Sequence, residues 1–183
     1  YASLILERSG IHSNIGAMLG SVGVGLTNFI VTVAALFLID RLGRRPLLIL
    51  GTGGTVCALL FLGLTPYLPL SSLAHGYLTL IGFIGFIVFF AIGPGVVVWL
   101  AISELIPNKI RSKGMAICLF ANSACSAVLA SSFLIIVKYI HLSGAFLMCA
   151  ILTFIYFLIA RFWLPETKNQ SLEEIERHFT KQQ

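Results

Sequence analysis

The stretch DRLGRRP at residues 40–46 is a dense charged turn between two long, almost uncharged apolar runs. It places Asp40 at the end of one predicted helix, Gly43 in the connection, and Arg44 and Arg45 at the start of the next. Carboxylate and guanidinium groups arranged in this way can join two helices by ion pairs. A simple stop-transfer cluster would explain the positive charges, but neither the aspartate nor the spacing of the glycine.

The composition around this turn is that of a membrane protein. Of the 183 residues 58% are hydrophobic and only 10% are charged, with a mean hydropathy of +0.98. A soluble domain of this size would lack the polar residues needed to cover its surface. The net charge of +5 could indicate nucleic-acid binding, but the basic residues form short clusters between apolar runs rather than a basic face. We therefore expect a lipid bilayer around the chain and no nucleic-acid partner.

The apolar runs predict an all-α transmembrane fold. Each predicted span has about 20 or more residues, as a hydrocarbon core of about 30 Å requires. Residues 1–10 are too short to span and are interpreted as the end of a sixth helix, so residues 1–163 form a bundle of five full spans and part of another. Residues 164–183 are polar and predict a cytoplasmic tail with a short amphipathic helix. The spans are placed near 15–39, 46–66, 76–103, 113–138 and 144–163.

The distribution of charge predicts the orientation of the bundle. Ten of the twelve Lys and Arg residues fall in connections on one side, and only Arg8 and Lys138 fall on the other. The positive-inside rule assigns the richer side, and with it the C-terminus, to the cytoplasm. Six of the seven acidic residues share that side, so both signs of charge are available there for ion pairing.

The next connection on the predicted cytoplasmic side also carries both signs. Glu104 closes one predicted helix and Arg111 opens another, so these groups can pair with each other or with those of the first turn. An exposed pair would contribute only about 0–1 kcal/mol. A partly desolvated network that forms in one conformation and breaks in another could bias a switch by more.

The longest apolar run contains Gly93, Pro94 and Gly95 near its middle, followed by Trp99. Proline removes a backbone hydrogen bond and glycine loosens the helix, so a break at membrane depth is predicted. Broken backbone at that depth is tolerated mainly where it is buried or lines a cavity. A sugar ring could stack on the indole of Trp99. The alternative is a kink needed only for packing, with a lipid-facing tryptophan.

Isolated polar residues mark the first and fourth spans. Asn28 lies in the first span, and Asn122 lies in the fourth with Ser126 and Cys118 on the same face. Amides in a bilayer need partners, so they face either neighbouring helices, as interhelical hydrogen bonds, or a wet cavity. Uncharged amides and hydroxyls beside an aromatic ring suit a neutral polyhydroxylated ligand.

No enzyme, metal or cofactor chemistry is predicted. The four cysteines lie inside apolar segments without the spacing of a metal site or a disulfide framework. The glycines at 51–54 lack the Lys-Ser/Thr of a phosphate-binding loop, and are better explained by helix packing.

Four ordered motifs together resemble the sugar porter family of the major facilitator superfamily, in its C-terminal half. Residues 40–45 are similar to the repeat of its charged loop, 93–99 to its tenth-helix motif, 103–111 to the following loop, and 165–168 to its tail signature. With residues 1–10 as the end of the seventh helix, the resemblance covers nearly the whole chain.

The resemblance implies alternating access, in which two six-helix bundles move around a central sugar site, so a partner N-terminal half is expected. It implies that Asn28 and Trp99 contact the sugar, and Asn122 is our third candidate. It also implies a cytoplasmic ion-pair network that holds the outward-facing state, to which we add Arg45. The implied members are Asp40, Arg44, Glu104, Arg111 and Glu166.

Ala91 stands where some animal glucose transporters have a carboxylate, which favours the bacterial members, many of them proton symporters. We therefore expect a monosaccharide:proton symporter in a plasma membrane, specifically a bacterial inner membrane. Two alternatives remain: a facilitated-diffusion carrier of a sugar or another neutral polyol, and a non-transporting remnant of a truncated gene.

Overall fold

The computed structural model describes residues 14–69, 71–106 and 110–163. Over these residues the regular secondary structure is entirely helical, without a strand, which confirms the all-α prediction. The predicted tail helix and the end of a sixth helix in residues 1–10 lie outside the described residues. The helices are α1 (Asn14–Leu42), α2 (Arg44–Leu64), α3 (Ser72–Ile92), α4 (Pro94–Leu105) and α5 (Arg111–Phe162), with a 3₁₀ turn (Thr65–Tyr67) after α2.

Five stretches of these helices are long and apolar enough to cross a membrane. The predicted third span is divided between α3 and α4, whereas the predicted fourth and fifth spans are consecutive parts of α5. The stretches are Val22–Ile39, Arg44–Tyr67, Leu73–Glu104, Arg111–Phe133 and Ile135–Phe162.

The 52 residues of α5 do not form one straight rod. A straight helix of that length would measure about 78 Å, far more than a bilayer core of about 30 Å. The helix is interrupted at His141, which has φ 58° and ψ 172°. We call residues 111–140 the first arm and 142–162 the second arm; both line the same cavity, so the chain turns back at His141.

A single residue separates α1 from α2. Gly43 has φ 96°, a conformation that residues with a side chain rarely adopt, and its N–H donates to the carbonyl of Ile39 at 3.1 Å. Because the chain reverses within this residue, Arg44 already belongs to the first turn of α2. The glycine of the charged turn is therefore required by the backbone.

Two apolar clusters hold the bundle together, and α2 contributes to both. One cluster lies near the start of α2 and comprises Ile39, Leu47, Leu48, Val97 and Ala160. The other lies near the end of α2 and comprises Leu59, Leu62, Phe146 and Ala150. Since α2 packs on α3, α4 and the second arm, it is the central helix of the described bundle.

The glycines of α2 allow close packing of this helix against α3. The backbone of Gly51 meets that of Gly93 at the end of α3, and a side chain at Gly54 would overlap the ring of Phe89. The glycine run at 51–54 therefore packs a helix against the point at which α3 ends and α4 begins.

Candidate functional site

An ion pair joins the start of α2 to the end of α4. Both Nε and Nη2 of Arg44 donate to Oε1 of Glu104, at 3.3 Å and 3.0 Å, across 60 residues of sequence. The two side chains are only 17% and 22% exposed. The pair is therefore partly desolvated, so removal of one partner would leave a partly buried charge and cost more than loss of an ion pair on an open surface.

Each member of this pair occupies an unfavourable end of its helix. The N-terminus of a helix carries a partial positive charge and disfavours Arg44, while the C-terminus carries a partial negative charge and disfavours Glu104. Neither residue is therefore placed to stabilise its own helix. The ion pair compensates both ends at once, so its loss would expose two unfavourable interactions.

The neighbouring arginine makes a different kind of contact. Nη2 of Arg45 donates to the backbone carbonyl of Arg161 at 2.6 Å. That carbonyl lies in the last turn of α5, where helical carbonyls lack partners within the helix. A cation is also favourable at a helix C-terminus. Arg44 and Arg45 thus attach the start of α2 to the ends of two different helices.

The remaining predicted network residues are not brought together by the described contacts. Nε of Arg111 is buried and has no hydrogen-bond partner in the described part of the chain. The side chain of Asp40 and the whole of Glu166 lie outside the described residues. Of the pairings that the sequence left open for Glu104, the one with Arg44 is formed in the structure.

The predicted helix break lies between α3 and α4. The N–H of Gly93 donates to the carbonyl of Phe89 at 3.2 Å, and the carbonyl of Gly93 accepts from Val97 at 2.9 Å. Because Pro94 has no N–H, the carbonyl of Phe90 loses the donor that a continuous helix would supply. A new helix therefore starts at Pro94.

The short helix α4 carries both the candidate sugar contact and the ion-paired carboxylate. Its 12 residues span about 18 Å. Val97 is completely buried, and Trp99, two residues further along and so on nearly the opposite face, is half-buried. A displacement of α4 at the break would therefore move Trp99 and Glu104 together.

The two candidate amides lie on exposed surfaces of other helices. Asn28 is exposed on α1, and Asn122 lies in the first arm of α5 within the exposed run 119–131. Within the described residues the helix break and the Arg44–Glu104 ion pair are formed, whereas the three candidate sugar contacts lie on three different helices, α1, α4 and α5.

The structure contains a cavity that the sequence analysis missed. Its volume is about 590 Å³, and it lies between α2, α3, the start of α4 and both arms of α5. Phenyl rings form one wall, and those of Phe86 and Phe90 stack with centroids 5.8 Å apart. The spacing of Phe83, Phe86 and Phe90 along one helical stripe was the signal available in the sequence.

A comparison with known families identifies the bundle. The model of the family described as "Sugar (and other) transporter" matches residues 1–179. The chain belongs to the sugar porter family of the major facilitator superfamily. The motifs at 40–45, 93–99 and 103–111, which carry the charged turn, the break and Glu104, are thus the framework of a sugar porter.

Two curated relatives are transporters for different sugars. The facilitated trehalose transporter Tret1 of Bombyx mori is 35% identical over 98% of this chain and 36% of its own length. The galactose-proton symporter of Escherichia coli is 33% identical over 99% of this chain and 39% of its own length. These relatives are carriers and not enzymes, in agreement with the prediction.

The fold resembles part of a solved sugar transporter. The inward-open xylose transporter XylE from Escherichia coli superposes with a TM-score of 0.79 at 27% identity, over 97% of this chain and 40% of that one. The sugar porter chain described here thus spans 36–40% of the length of these three proteins. Within the described residues, no group of three or more His, Cys, Asp and Glu could hold a metal ion.

Proposed function

We propose that this chain is the C-terminal half of a carrier that moves a monosaccharide across a membrane by alternating access, in symport with a proton. The observation that carries the proposal is the geometry of α4, which begins at the break, presents Trp99 on the face away from the core, and ends at the Arg44–Glu104 pair. Sugar contact and ion pair therefore belong to one short rigid segment.

In the proposed cycle, the ion pair holds the ends of α2 and α4 together in one state of the carrier. Asn28, Trp99 and Asn122 contact the sugar in a site closed by an N-terminal six-helix half. Asp40, Arg45, Arg111 and Glu166 complete the network, and the buried Nε of Arg111 supplies a donor for one of its carboxylates.

Sugar transport is common to the family and its relatives, whereas proton coupling is the more specific part of the proposal. It is supported by the 33% identity to a galactose-proton symporter. The competing function is facilitated diffusion of a sugar or polyol, supported by the 35% identity to a facilitated trehalose transporter. Since trehalose is a disaccharide, that comparison also extends the range of substrates to be tested.

The experiment that separates these functions is uptake of radiolabelled sugars by the full-length protein in proteoliposomes. We expect accumulation of xylose, galactose or glucose against a gradient, abolished by a protonophore. Equilibration without accumulation, unaffected by the protonophore, would establish facilitated diffusion. Absence of uptake for every monosaccharide, trehalose and the linear polyols would contradict the proposal and favour a non-transporting remnant.

We also propose that the end of the bundle with Arg44 and Glu104 faces the cytoplasm of a plasma membrane, a bacterial inner membrane in particular. The distribution of basic residues supports this orientation. Lys113→Cys at this end and Lys138→Cys at the other provide exposed positions for a membrane-impermeant maleimide. In intact cells the reagent should label only Lys138→Cys; labelling of Lys113→Cys alone would reverse the topology.

A further inference from the structure

Three exposed tyrosines lie at the end of the bundle opposite the Arg44–Glu104 pair. Tyr67 follows the end of α2, Tyr77 lies in the second turn of α3, and Tyr139 lies in the last turn of the first arm of α5. These residues are 71%, 64% and 78% exposed, respectively. A single exposed aromatic residue is ordinary, but three at one end of a helical bundle form a pattern.

The contacts between α2 and α5 place the three tyrosines at one end. Arg45, at the start of α2, contacts Arg161 at the end of the second arm. Leu142, directly after the turn at His141, packs against the apolar cluster that contains Leu62, near the end of α2. The second arm and α2 are therefore antiparallel, and the turn of α5 lies beside the end of α2. The helix α3 starts at this same end, because only a short connection separates it from α2.

Each tyrosine faces away from the core, because the residue two positions away along the chain is buried. Residues two positions apart on a helix lie on nearly opposite faces. The hydroxyls of two of these buried residues, both threonines, donate to carbonyls of their own helical segments at 2.7 Å and 2.8 Å. The buried side of each turn is thus satisfied without water. The buried residues are Thr65, Thr79 and Val137, at 2%, 8% and 8% exposure.

One turn deeper along each of the three helices, the residue that faces outward is aliphatic. All of these aliphatic residues belong to membrane-crossing stretches. A change from aliphatic residues to tyrosine at one level is typical of the boundary between hydrocarbon and lipid headgroups, where the ring is in an apolar layer and the hydroxyl is in a wet one. The aliphatic residues are Leu64, Ile81 and Ile135, at 55%, 62% and 59% exposure.

The basic residue beside Tyr139 fits the same boundary. Lys138 is exposed, and in the part of the chain that the structure describes it is the one Lys or Arg at this end. A lysine at such a level lays its stem along apolar surface and extends its ammonium group to the phosphates.

The length of α2 agrees with this placement. The 24 residues from Arg44 to Tyr67 rise by about 36 Å. This length lies between the hydrocarbon core of about 30 Å and the complete bilayer of about 40–45 Å. The arginine at one end of this stretch and the tyrosine at the other therefore reach opposite headgroup layers.

We propose that Tyr67, Tyr77 and Tyr139 form an aromatic belt that binds the phospholipid headgroup layer on the side of the membrane opposite the ion pair. Their rings lie at the level of the lipid ester groups, their hydroxyls hydrogen-bond to ester and phosphate oxygens, and Lys138 contacts the phosphates. The belt holds the ends of α2, α3 and the first arm at one depth. This lipid-binding surface is independent of the transported substrate.

The first experiment measures the depth of six positions in the full-length protein, with its native cysteines replaced by alanine, in phosphatidylcholine bilayers. A nitroxide is attached to one introduced cysteine at a time. At the belt positions we expect similar collision rates with oxygen, which concentrates in hydrocarbon, and with a water-soluble nickel complex. At the aliphatic positions we expect several-fold more collisions with oxygen. The variants are Tyr67→Cys, Tyr77→Cys and Tyr139→Cys for the belt, and Leu64→Cys, Ile81→Cys and Ile135→Cys for the aliphatic positions.

Two results at the belt positions would overturn the proposal. Few collisions with either reagent would show that another part of the protein covers the tyrosines. More collisions with the nickel complex than with oxygen would show that the tyrosines lie in water beyond the headgroups.

The second experiment measures the Tm of the full-length protein in phosphatidylcholines of increasing acyl-chain length. Replacement of all three belt tyrosines by leucine extends the apolar surface, so the Tm maximum should move to longer chains. The matched control combines three apolar exchanges one turn deeper and should leave the maximum in place. An unchanged maximum in the leucine variant would contradict the belt. The control exchanges are Leu64→Ile, Ile81→Leu and Ile135→Leu.

Discussion

Gly51 of α2 and Gly93 between α3 and α4 pack backbone against backbone. A Cβ at Gly93 would lie 2.7 Å from the Cα of Gly51, closer than real side chains come to neighbouring atoms. The helix break therefore rests on a position of α2 that cannot carry a side chain without a shift of backbone. Gly93 of the helix break and the glycine run at 51–54 of α2 therefore form one packing contact.

Gly51→Ala should lower the Tm of the full-length protein. Alanine normally stabilises a helix relative to glycine by up to about 1 kcal/mol, but overpacking against backbone costs about 1–3 kcal/mol. The overlap with the backbone of Gly93 therefore outweighs the gain in helix propensity, and the substitution destabilises the protein. Gly85→Ala in α3 is the matched control, since a Cβ there has nothing within 4 Å, and its Tm should stay constant or rise. Equal shifts in both variants would contradict the close contact.

Glu104→Gln and Arg44→Gln should each reduce transport while leaving membrane insertion intact. Each removes the half-buried Arg44–Glu104 ion pair. We expect a cost between the roughly 1 kcal/mol of an exposed pair and the roughly 3–5 kcal/mol of a fully buried one. Lys113→Gln, which removes an exposed charge at the same end of the bundle, is the control. Uptake rates in proteoliposomes measure transport, and the amount of protein in the membrane measures insertion.

The reversed pair, Arg44→Glu combined with Glu104→Arg, tests the pairing itself. It restores opposite charges and places each at the helix end that the macrodipole favours, by about 0.3–1 kcal/mol per end. The double variant should therefore have a higher Tm than Arg44→Glu alone or Glu104→Arg alone. A Tm at or below the additive sum of the singles would show that the two residues do not interact.

Trp99→Ala should weaken sugar binding to the full-length protein by about fivefold or more, as loss of aromatic contact of about 1 kcal/mol predicts. Trp99→Phe keeps an aromatic face and should lose less sugar affinity than Trp99→Ala. Trp163, 80% exposed at the end of α5, is the matched control, and Trp163→Ala should leave affinity unchanged. Binding of radiolabelled sugar measures all three; unaltered affinity in Trp99→Ala would assign this residue to packing.

His141→Gly should stabilise the protein. The φ of 58° and ψ of 172° at His141 belong to a region populated almost only by glycine, and a residue with a side chain costs about 1–3 kcal/mol there. The greater freedom of glycine in the unfolded chain offsets part of this gain. His75→Gly, within the regular helix α3, should instead lower the Tm. A lower Tm for His141→Gly would contradict the strained turn.

Much of the fold follows from local properties of the sequence. Apolar runs of spanning length predicted the membrane helices, and Pro94 between two glycines predicted the end of α3, because a residue without an N–H cannot continue the hydrogen-bond pattern. The turn at His141 was expected only as a short connection near 138–144. The turn consists of one residue because of the way in which the two arms of α5 pack, and local sequence does not specify that packing.

The sequence by itself determined which residues are embedded, where charge is concentrated, and which family the motifs resemble, since hydropathy, charge and backbone chemistry belong to each segment alone. Only the tertiary structure decided that Glu104 pairs with Arg44, that Arg45 caps α5 through the carbonyl of Arg161, and that four helices line a cavity beside Pro94. These contacts join residues up to 116 positions apart, and their distances depend on the packing of whole helices.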